Sequence, residues 1–386
     1  MKEIKYIAYY SDPDLSKDRR TAPSADTKLD YIISALKRED YNVAVVSKCG
    51  RGKCDRVLKK YSDYRAEKNG TPIHFVSDIT SRFRPIRFLT RWINKYDIRR
   101  IIKEECLNND CKIIIYHSLG MYDIIKFLKK HNKNFVLEVE EIYADVMRKK
   151  KRQNRKKEDF MFSAAGSYIF STELLNKRIN TENKPYIVCN GTYAVEDSFV
   201  EEKKVDAGAT IHCVYAGTLD PRKGGAAAAA AAAAAFLPAN YHIHILGFGT
   251  DSEIAFMKEH IKATAEKAKA VVSYDGLLTG DDYIKFIQSC HIGLSTQDPT
   301  AAFNATSFPS KILSYMSNGL RVVSVRIPAI ETSSIGEYMY YYDRQTPQEI
   351  AEAIMKVDIN DAYDSRKILL GLDAHFKKEL KCLLEN

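Results

Sequence analysis

The sequence predicts an α/β protein built from two doubly wound domains in series. Short apolar runs rich in β-branched residues alternate with helical patterns, and this alternation restarts after residue 190. The chain of 386 residues is long enough for two or three domains, at roughly 150 residues each. A repeated β-α order implies parallel sheets that are covered by helices on both faces.

The composition excludes several classes of protein. With 45% hydrophobic and 28% charged residues, the chain is neither disordered nor fibrous. Its longest apolar run, Ala226–Leu237, is 12 residues long, whereas a membrane span needs about 18–20. The N-terminal residues lack the pattern of a signal peptide, so we expect a cytoplasmic protein. The eight cysteines include no C-x-x-C pair, which favours reduced thiols over a zinc or redox motif.

The first domain is expected to span residues 1–190. Its predicted strands are Tyr6–Tyr10, Asn42–Ser47, Pro72–Val76, Lys112–His117, Asn134–Val139 and Tyr168–Ser171. Its predicted helices are Asp26–Glu39, Ile93–Leu107 and Met121–His131. In the first helix, Lys28, Leu29, Ile32, Ile33 and Leu36 recur at a spacing of three to four, which is typical of a buried helix face.

The second domain is expected to span residues 191–362, and a last helix in 363–386 is expected to cross back to the first domain. The predicted strands are Thr210–Ala216, His242–Leu246, Val271–Tyr274, Ile292–Ser295 and Arg321–Val325. The predicted helices are Gly224–Leu237, Ser252–Ala268, Asp281–Cys290, Ser310–Ser317, Pro347–Val357 and Tyr363–Leu384. Ten consecutive alanines, Ala226–Ala235, favour a helix without encoding a specific packed face.

Charge is distributed unevenly between the two halves. Residues 1–190 carry 40 Lys and Arg against 25 Asp and Glu, a net charge of +15. Residues 191–386 carry 19 against 25, a net charge of −6. The basic half is expected to be attracted to anionic surfaces such as phosphates or anionic lipid. Basic tracts also suit nucleic acid, but no nucleic-acid-binding module accompanies them, so we expect no nucleic-acid partner.

One loop of the second domain combines glycine with cations where a ligand is expected. In doubly wound sheets, ligands bind beyond the carboxyl ends of the strands. The stretch Tyr215–Gly225 ends a strand at Gly217 and places Arg222 and Lys223 just before a helix. Two cations at that position suit a diphosphate. The other interpretation is a surface loop with two solvated cations.

Other strand ends in this domain carry similar signals. Leu246–Gly249 contains a G-x-G, which is a weak signal because tight turns explain it equally well. In the stretch Asn304–Val323, Ser307 is a plausible N-cap and Lys311 lies in the first turn of a predicted helix. A helix start with hydroxyls and a cation is therefore expected at the same edge of the sheet.

Taken in order, these motifs resemble the donor domain of GT-B glycosyltransferases of the retaining group called family 4. The resembling pieces are Y-A-G-T-L-x-x-R-K-G, L-G-x-G, x-D-G, F-P-S-K-I-L-x-Y-M-x-N-G-L-x-V-V and I-P-A-I-E. Upstream, Ile187–Thr192 resembles the entry into that domain, and Leu137–Tyr143 resembles a variant found in capsular and exopolysaccharide transferases. The resemblance implies two Rossmann-like domains that face each other across a cleft.

The resemblance also implies roles for individual residues. Arg222 and Lys223 would hold the diphosphate of a sugar nucleotide, and Lys223 would neutralise the leaving group during catalysis. The remaining implied donor-binding residues are Gly217, Gly247, Phe248, Gly276, Thr306, Ser307, Phe308, Ser310, Lys311 and Ser314. No cofactor or metal is expected, because cations and helix dipoles can neutralise a leaving diphosphate.

The sequence departs from the family at two positions. The family commonly carries Glu-x7-Glu, with one glutamate on the donor sugar and the other on the ribose. Here the two positions are Thr306 and Ser314. A serine hydrogen-bonds a ribose without charge assistance, so the departure bears on donor identity and on turnover.

The first domain is expected to bind the acceptor. Ser24 lies in a long polar loop after the first strand, which approaches donor and acceptor in this fold. Glu138, Glu140 and Glu141 cluster at a strand end, and the catalytic candidates Glu140 and Glu141 could orient the acceptor hydroxyl. The alternative is that the cluster forms ion pairs with nearby Lys and Arg.

A basic aromatic stretch in the first domain suggests a membrane surface. Residues 81–93 interleave arginines with aromatic and aliphatic residues, and the membrane-side candidates are Arg82, Arg84, Arg87, Arg91 and Trp92. Aromatic rings suit the lipid interface, and arginines suit anionic headgroups. The competing interpretation makes Phe83, Phe88 and Trp92 core residues.

The sequence therefore predicts a glycosyltransferase that acts with retention in surface polysaccharide biosynthesis. Its donor would be a UDP-linked sugar and its acceptor a glycan on a lipid carrier, with the enzyme held peripherally at the inner face of the cell membrane. Two alternatives remain. One is a GT-B-like accessory or binding subunit with little or no activity, and the other is a GT-B sugar-nucleotide epimerase.

Overall fold

The computed structural model describes residues 2–19, 21, 23–48, 57–146, 151–199, 205–206, 208–221, 225–301, 304 and 306–385, without the side chains of Pro23, Ser24 and Val146. The chain divides into two compact units. Unit 1 comprises Met1–Cys189 with His375–Asn386, and unit 2 comprises Asn190–Ala374.

Strands and helices alternate through both units. The strands in the described residues are β1 (Lys2–Ala8), β2 (Tyr41–Ser47), β3 (Lys59–Tyr61), β4 (Tyr64–Lys68), β5 (Thr71–Phe75), β6 (Asp78–Thr80), β7 (Cys111–Tyr116), β8 (Val136–Val139), β9 (Ser167–Phe170), β10 (Tyr186–Val188), β11 (Ile211–Thr218), β12 (Tyr241–Phe248), β13 (Val271–Gly276), β14 (Ile292–Ser295), β15 (Arg321–Val325) and β16 (Met339–Tyr342). The α-helices there are α1 (Pro23–Arg38), α2 (Arg84–Ile102), α3 (Tyr122–Lys130), α4 (Tyr143–Val146), α5 (Lys151–Ala164), α6 (Glu173–Ile179), α7 (Ala226–Ala233), α8 (Asp251–Ala265), α9 (Gly280–Ser289), α10 (Lys311–Ser317), α11 (Pro328–Glu331), α12 (Pro347–Met355) and α13 (Ser365–Glu385).

The sheet of unit 1 has the strand order β10-β9-β8-β7-β1-β2-β5-β4 within the described residues. All neighbouring pairs are parallel except β4 with β5, which are antiparallel. The buried apolar core on this sheet includes Ile7, Ile115, Leu137 and Phe170. Strand order reverses between β1 and β7, so the carboxyl ends of these two strands mark a binding crevice.

The sheet of unit 2 is parallel throughout its described part and has the order β13-β12-β11-β14-β15-β16. This is the order of a Rossmann fold, with the reversal between β11 and β14. The two doubly wound α/β domains expected from the sequence are therefore confirmed.

Several predicted elements match closely, whereas the start of helix α2 was predicted too far along the chain. The bounds of β14 and β15 agree with the prediction. Helix α2 begins at Arg84, not at Ile93, with a proline in its first turn, where proline is favoured. Its buried residues are few: Thr90, Ile98, Ile101 and Ile102. Because its first half buries little, the apolar pattern indicated only its second half.

The start of α10 also differs from the prediction. The helix begins at Lys311 with Ser310 as its cap residue, and no side chain caps it. Ser307 is therefore not the N-cap. Pro309 lies just before the helix, where its carbonyl accepts a hydrogen bond from the N–H of Ile312 at 3.1 Å.

The last part of helix α13 packs within unit 1. The Phe376 ring stacks on Tyr31 with 5.6 Å between ring centres. Lys381 and Glu39 form an ion pair of 3.0 Å, and Lys2 pairs with Glu385 at 3.2 Å. Within the described residues, none of the helices combines the length and the apolar composition that a membrane crossing requires.

Candidate functional site

The carboxyl edge of the unit 2 sheet is the first candidate site. Strand β11 ends at Thr218 and β14 ends at Ser295, and the strand order reverses between these two. Helix α10 follows β14 along the chain and begins at Lys311. The topology therefore brings Gly217 and Lys311, which the sequence separates by more than ninety residues, to the same crevice.

Lys311 is a half-buried cation at this edge. Its Nζ lies 4.0 Å from the centre of the Tyr215 ring, and none of the described carboxylates forms an ion pair with it. Burial lowers the pKa of Lys311 to about 7. An ammonium group that is desolvated and has no carboxylate partner is costly to keep charged. An anionic ligand beside Lys311 would offset this cost and would accept charge-assisted hydrogen bonds from it.

Two glycines lie in close contacts at this edge of the sheet. A Cβ at Gly217 would lie 3.0 Å from the Tyr215 hydroxyl and 3.2 Å from the Lys311 Nζ. A Cβ at Gly247 would lie 2.0 Å from the backbone oxygen of Gly217, which is an impossible contact. The G-x-G of β12 therefore has a packing role: Gly247 lets β11 and β12 approach each other.

The other predicted donor residues have different environments. Thr306 is buried, Ser307, Phe308 and Ser314 are half-buried, and Ser310 is exposed. Phe248 is 58% exposed at the end of β12, and Gly276 ends β13. Arg222 and Lys223 lie outside the described residues, so their roles stay predictions.

The two positions where the family carries glutamates contribute no carboxylate in this chain. Ser314 hydrogen-bonds Tyr283, and this bond counteracts the burial that raises the pKa of Tyr283. The Ser314 carbonyl also accepts a hydrogen bond of 2.8 Å from the Asn318 amide. Ser314 is thus engaged within unit 2, and Thr306 is 3% exposed.

The sequence interpretation missed the aromatic residues of this site. Tyr215 is 2% exposed and lies against Lys311. The Tyr315 hydroxyl accepts a hydrogen bond of 2.8 Å from the Ala216 N–H, which joins α10 to β11. Buried tyrosine hydroxyls usually have such hydrogen-bond partners. A tyrosine within an apolar strand was therefore the signal in the sequence that could have indicated these contacts.

The second candidate site is a carboxylate cluster at the carboxyl end of β8 in unit 1. Glu138 is 2% exposed and accepts a hydrogen bond from the Tyr6 hydroxyl. Lys28 forms an ion pair with Glu140 and lies 3.8 Å from the nearer oxygen of Glu138. The Lys28 Nζ also donates a 3.0 Å hydrogen bond to the Cys189 carbonyl.

The three carboxylates of this cluster differ in electrostatics. Burial raises the pKa of Glu138, and Lys28 opposes this shift while Glu140 adds to it. Burial and the charge of Glu140 also raise the pKa of Glu141. Among the described residues no cation pairs with Glu141, whereas Glu140 has Lys28. Of the two catalytic candidates, Glu141 is therefore the one available for a new hydrogen bond.

Lys28 was missed as a site residue. The sequence pattern placed it on the apolar face of α1, and it is 8% exposed there. Burial opposes its charge, but Glu140 and Glu138 raise the pKa of Lys28 above its ordinary value. A lysine on the buried face of a helix requires carboxylate partners, which was the signal in the sequence.

A cavity of about 850 Å³ lies at the carboxyl edge of the unit 1 sheet. Its lining includes Tyr9 after β1, Val76 after β5 and Leu119 after β7. Cations and carboxylates both contribute, and the charged lining residues are Lys48, Asp78, Arg91, Lys95, Asp123 and Lys157. A polar ligand of the size of a sugar would find hydrogen-bond partners of both kinds here.

The N-terminal half of α2 presents an exposed apolar face. Its large apolar residues are exposed by 62% at Phe88, 65% at Leu89, 67% at Trp92 and 48% at Ile93. Phe83, just before the helix, is 43% exposed. The interpretation of Phe83, Phe88 and Trp92 as core residues is therefore wrong. We call Phe83–Ile93 the α2 face.

The predicted cations belong to the same region. Arg84, Arg87 and Arg91 lie in α2, and Arg82 lies two residues before it, with its guanidinium 4.8 Å from the centre of the Phe83 ring. Phe88, Arg91 and Trp92 also line the 850 Å³ cavity. Ser24 was predicted in a loop but lies in the first turn of α1, which begins at Pro23, and its side chain is outside the described residues.

The comparisons with known proteins bear on the fold. No family model matches the sequence, and no curated protein matches it. Solved structures do match over nearly their whole length. Sucrose-phosphate synthase from Thermosynechococcus elongatus is 12% identical, with a TM-score of 0.67, and the match covers 100% of this chain and 98% of that one.

Two further solved structures support the same conclusion. The lipopolysaccharide outer core galactosyltransferase WaaB, in its apo form, is 12% identical with a TM-score of 0.65, covering 99% of each chain. HepE from Anabaena, in complex with UDP, is 12% identical with a TM-score of 0.60, covering 98% of this chain and 95% of that one. At these identities the likeness shows the fold, and the chain therefore has the GT-B fold that its motifs imply.

Proposed function

We propose that this protein is a glycosyltransferase that uses a UDP-linked sugar as its donor. The observation that carries the proposal is Lys311, a half-buried, desolvated cation with no described carboxylate partner at the reversal point of the unit 2 sheet. A nucleoside diphosphate would supply the missing negative charge. The fold supports this assignment, because similar structures include a galactosyltransferase and a protein solved with UDP.

The proposed reaction replaces one bond at the anomeric carbon of the sugar by another. The bond from that carbon to the diphosphate oxygen breaks, and a bond to an acceptor hydroxyl oxygen forms with the same configuration. Lys311, with Arg222 and Lys223, would stabilise the negative charge on the departing diphosphate. Glu141, whose pKa is raised by burial, would hydrogen-bond the acceptor hydroxyl and accept its proton.

We propose further that the acceptor is a glycan on a lipid carrier, in surface polysaccharide biosynthesis. Three residues, Phe88, Arg91 and Trp92, line the unit 1 cavity and also belong to the α2 face. An acceptor whose sugar occupies the cavity could thus keep its lipid at an apolar, cationic surface. Amphipathic helices with aromatic and basic residues bind anionic membrane interfaces in this way.

A donor panel tests the proposed activity. The protein is incubated with UDP-glucose, UDP-galactose, UDP-N-acetylglucosamine and the matching GDP-sugars, with and without a lipid extract as acceptor, and released UDP is measured. We expect at least one UDP-sugar to raise the melting temperature and to be consumed. Stabilisation by no nucleotide sugar and release of no nucleotide would contradict the proposal.

A second candidate function is an accessory subunit that binds a nucleotide sugar without turning it over. Thr306 and Ser314 favour it, because neither position supplies a carboxylate. The same panel separates the two candidates. Stabilisation by a UDP-sugar without consumption, even with the lipid extract, would favour the accessory subunit.

A further inference from the structure

Three histidines meet on one face of the unit 2 sheet, near the amino ends of its strands. His212 is the second residue of β11, and His242 and His244 lie in β12. In the parallel register His212 pairs with His242, and Val214 pairs with His244. Because side chains alternate along a strand and registered neighbours share a face, the three imidazoles point to the same side.

The imidazole nitrogens are close enough to share a cation. One ligand atom from each histidine lies within 4.8 Å of the others. The Nδ1 of His212 is 2.9 Å from the Nε2 of His244, a spacing that one shared proton satisfies. Two nitrogens that bind one zinc ion at about 2.0–2.1 Å lie roughly 3.3 Å apart in a tetrahedron. A small opening of this pair would therefore admit a metal ion in place of the proton.

The neighbouring strand supplies a carboxylate that orients one imidazole. The Nδ1 of His244 lies 3.2 Å from an oxygen of Asp275 in β13. The Ser273 hydroxyl donates a 2.8 Å hydrogen bond to the same oxygen. With its Nδ1–H donated to Asp275, His244 presents the lone pair of its Nε2 toward His212. Metal-binding histidines in proteins commonly have such a carboxylate partner.

We propose that His212, His242 and His244 bind a divalent transition-metal ion of the zinc type, with Asp275 as the residue that positions His244. Imidazole ligands suit Zn²⁺, Ni²⁺ and Cu²⁺ rather than Mg²⁺ or Ca²⁺. Within the described part of the chain, this is the one group of three such ligands that meets so closely.

The position of the cluster indicates a structural role. His212 lies at the opposite end of β11 from Gly217 and Thr218, about 16–20 Å away at 3.3 Å per residue. The Phe286 ring of α9 meets His244 edge-on, with 5.1 Å between ring centres. A bound ion would thus join β11 to β12 beneath α9, apart from the edge where we propose that the donor binds.

Cobalt and zinc titrations of the full chain test this proposal. We expect one Co²⁺ per chain with the visible absorption of a tetrahedral site, displaced by Zn²⁺, and a rise in melting temperature with Zn²⁺. The His212→Ala/His244→Ala variant should lose the absorption band and the rise. His375→Ala, which removes a histidine that is 66% exposed on α13, should retain both.

Two further measurements keep the test independent of folding. Circular dichroism must show that the double variant is folded, and Asp275→Asn leaves all three imidazoles in place. We expect Asp275→Asn to bind Co²⁺ about 10–100-fold more weakly. The absence of a saturable one-equivalent site in the wild type, or equal binding by a folded double variant, would overturn the proposal. UDP affinity should be unchanged in the double variant, which separates this site from donor binding.

Discussion

The Nζ of Lys311 lies 4.0 Å from the centre of the Tyr215 ring, inside a unit whose described residues offer it no ion-pair partner. The aromatic ring gives partial compensation for the buried charge through a cation–π contact. Burial nevertheless lowers the pKa of Lys311 to about 7. Without a ligand, this residue therefore changes its charge near neutral pH.

UDP affinity should fall as the pH rises from 7 to 9. Above pH 7 the phosphates are mostly ionised, since their second pKa is about 6, and their remaining ionisation would strengthen binding, so a decline in affinity reports the loss of charge on Lys311. Its protonated fraction falls by up to tenfold for each pH unit above its pKa, and the cation is the form that binds. Calorimetric titration at several pH values should show this decline in the wild type. A Lys311→Met variant should show none of it, and an equal decline in both proteins would contradict the assignment.

Replacing Lys28 by Met should destabilise the protein by about 3–5 kcal/mol, because it leaves the buried carboxylate of Glu138 and the half-buried one of Glu140 without their cation. The loss should grow with pH. Burial raises the pKa of Glu138 in the folded state above its value in the unfolded state. The folded state therefore holds this proton more tightly, and the stability that results is present at low pH and is lost as the pH rises through the folded pKa. Urea unfolding at pH 5 and pH 8 measures both effects. A matched control is Lys37→Met, which removes a lysine of the same helix that, among the described residues, donates a hydrogen bond only to the Asn69 carbonyl.

Glu141→Gln should lower the turnover of the consumed UDP-sugar by about 10²–10⁴-fold, the usual contribution of a general base. Glu140→Gln should lower it less, because Glu140 is already ion-paired with Lys28. UDP affinity should not change in either variant, because both residues lie in unit 1. Initial rates measure the turnover, and calorimetric titration measures the UDP affinity. Full turnover in both variants would mean that the carboxylate cluster is structural.

Anionic vesicles should bind the wild-type protein through the α2 face. Each cation near an anionic leaflet contributes about 1 kcal/mol and is screened by salt. Changing Arg82, Arg84, Arg87 and Arg91 to Ser should therefore abolish co-sedimentation with phosphatidylserine vesicles at low salt. The control changes four cations that lie elsewhere in unit 1, at Lys126, Lys129, Lys130 and Lys133. Equal pelleting of wild type and arginine variant, or no pelleting of wild type, would contradict membrane docking.

Local sequence patterns predicted the fold well where burial and periodicity agree. Strands β14 and β15 are buried throughout and were predicted to the residue. The start of helix α2 was predicted too far along the chain. Its first half exposes Phe88 and Trp92, so the apolar residues there do not follow the pattern of a buried helix face. Strands β3, β4, β6, β10 and β16 were missed; β3, β4 and β6 are short and mostly polar, as loops are.

The candidate sites were predictable only in part, because their contacts join distant segments. The motif around Lys311 indicated a phosphate-binding cation, but its contact with Tyr215 depends on the strand order. Likewise, Lys28 and Glu140 are separated by 112 positions. The histidine cluster joins His212 with two residues of another strand, and single histidines thirty residues apart follow no metal-binding spacing.

Calorimetric titration of UDP into the wild type and into Lys311→Met at pH 7 tests the central claim most directly. Loss of a charge-assisted contact worth about 1.5–3 kcal/mol corresponds to a roughly 10–100-fold weaker affinity. A matched Lys262→Met variant, which changes an exposed lysine of α8, should bind as the wild type does. We predict saturable UDP binding that weakens only in Lys311→Met. Absence of UDP binding by the wild type, or equal affinity in all three proteins, would contradict the account.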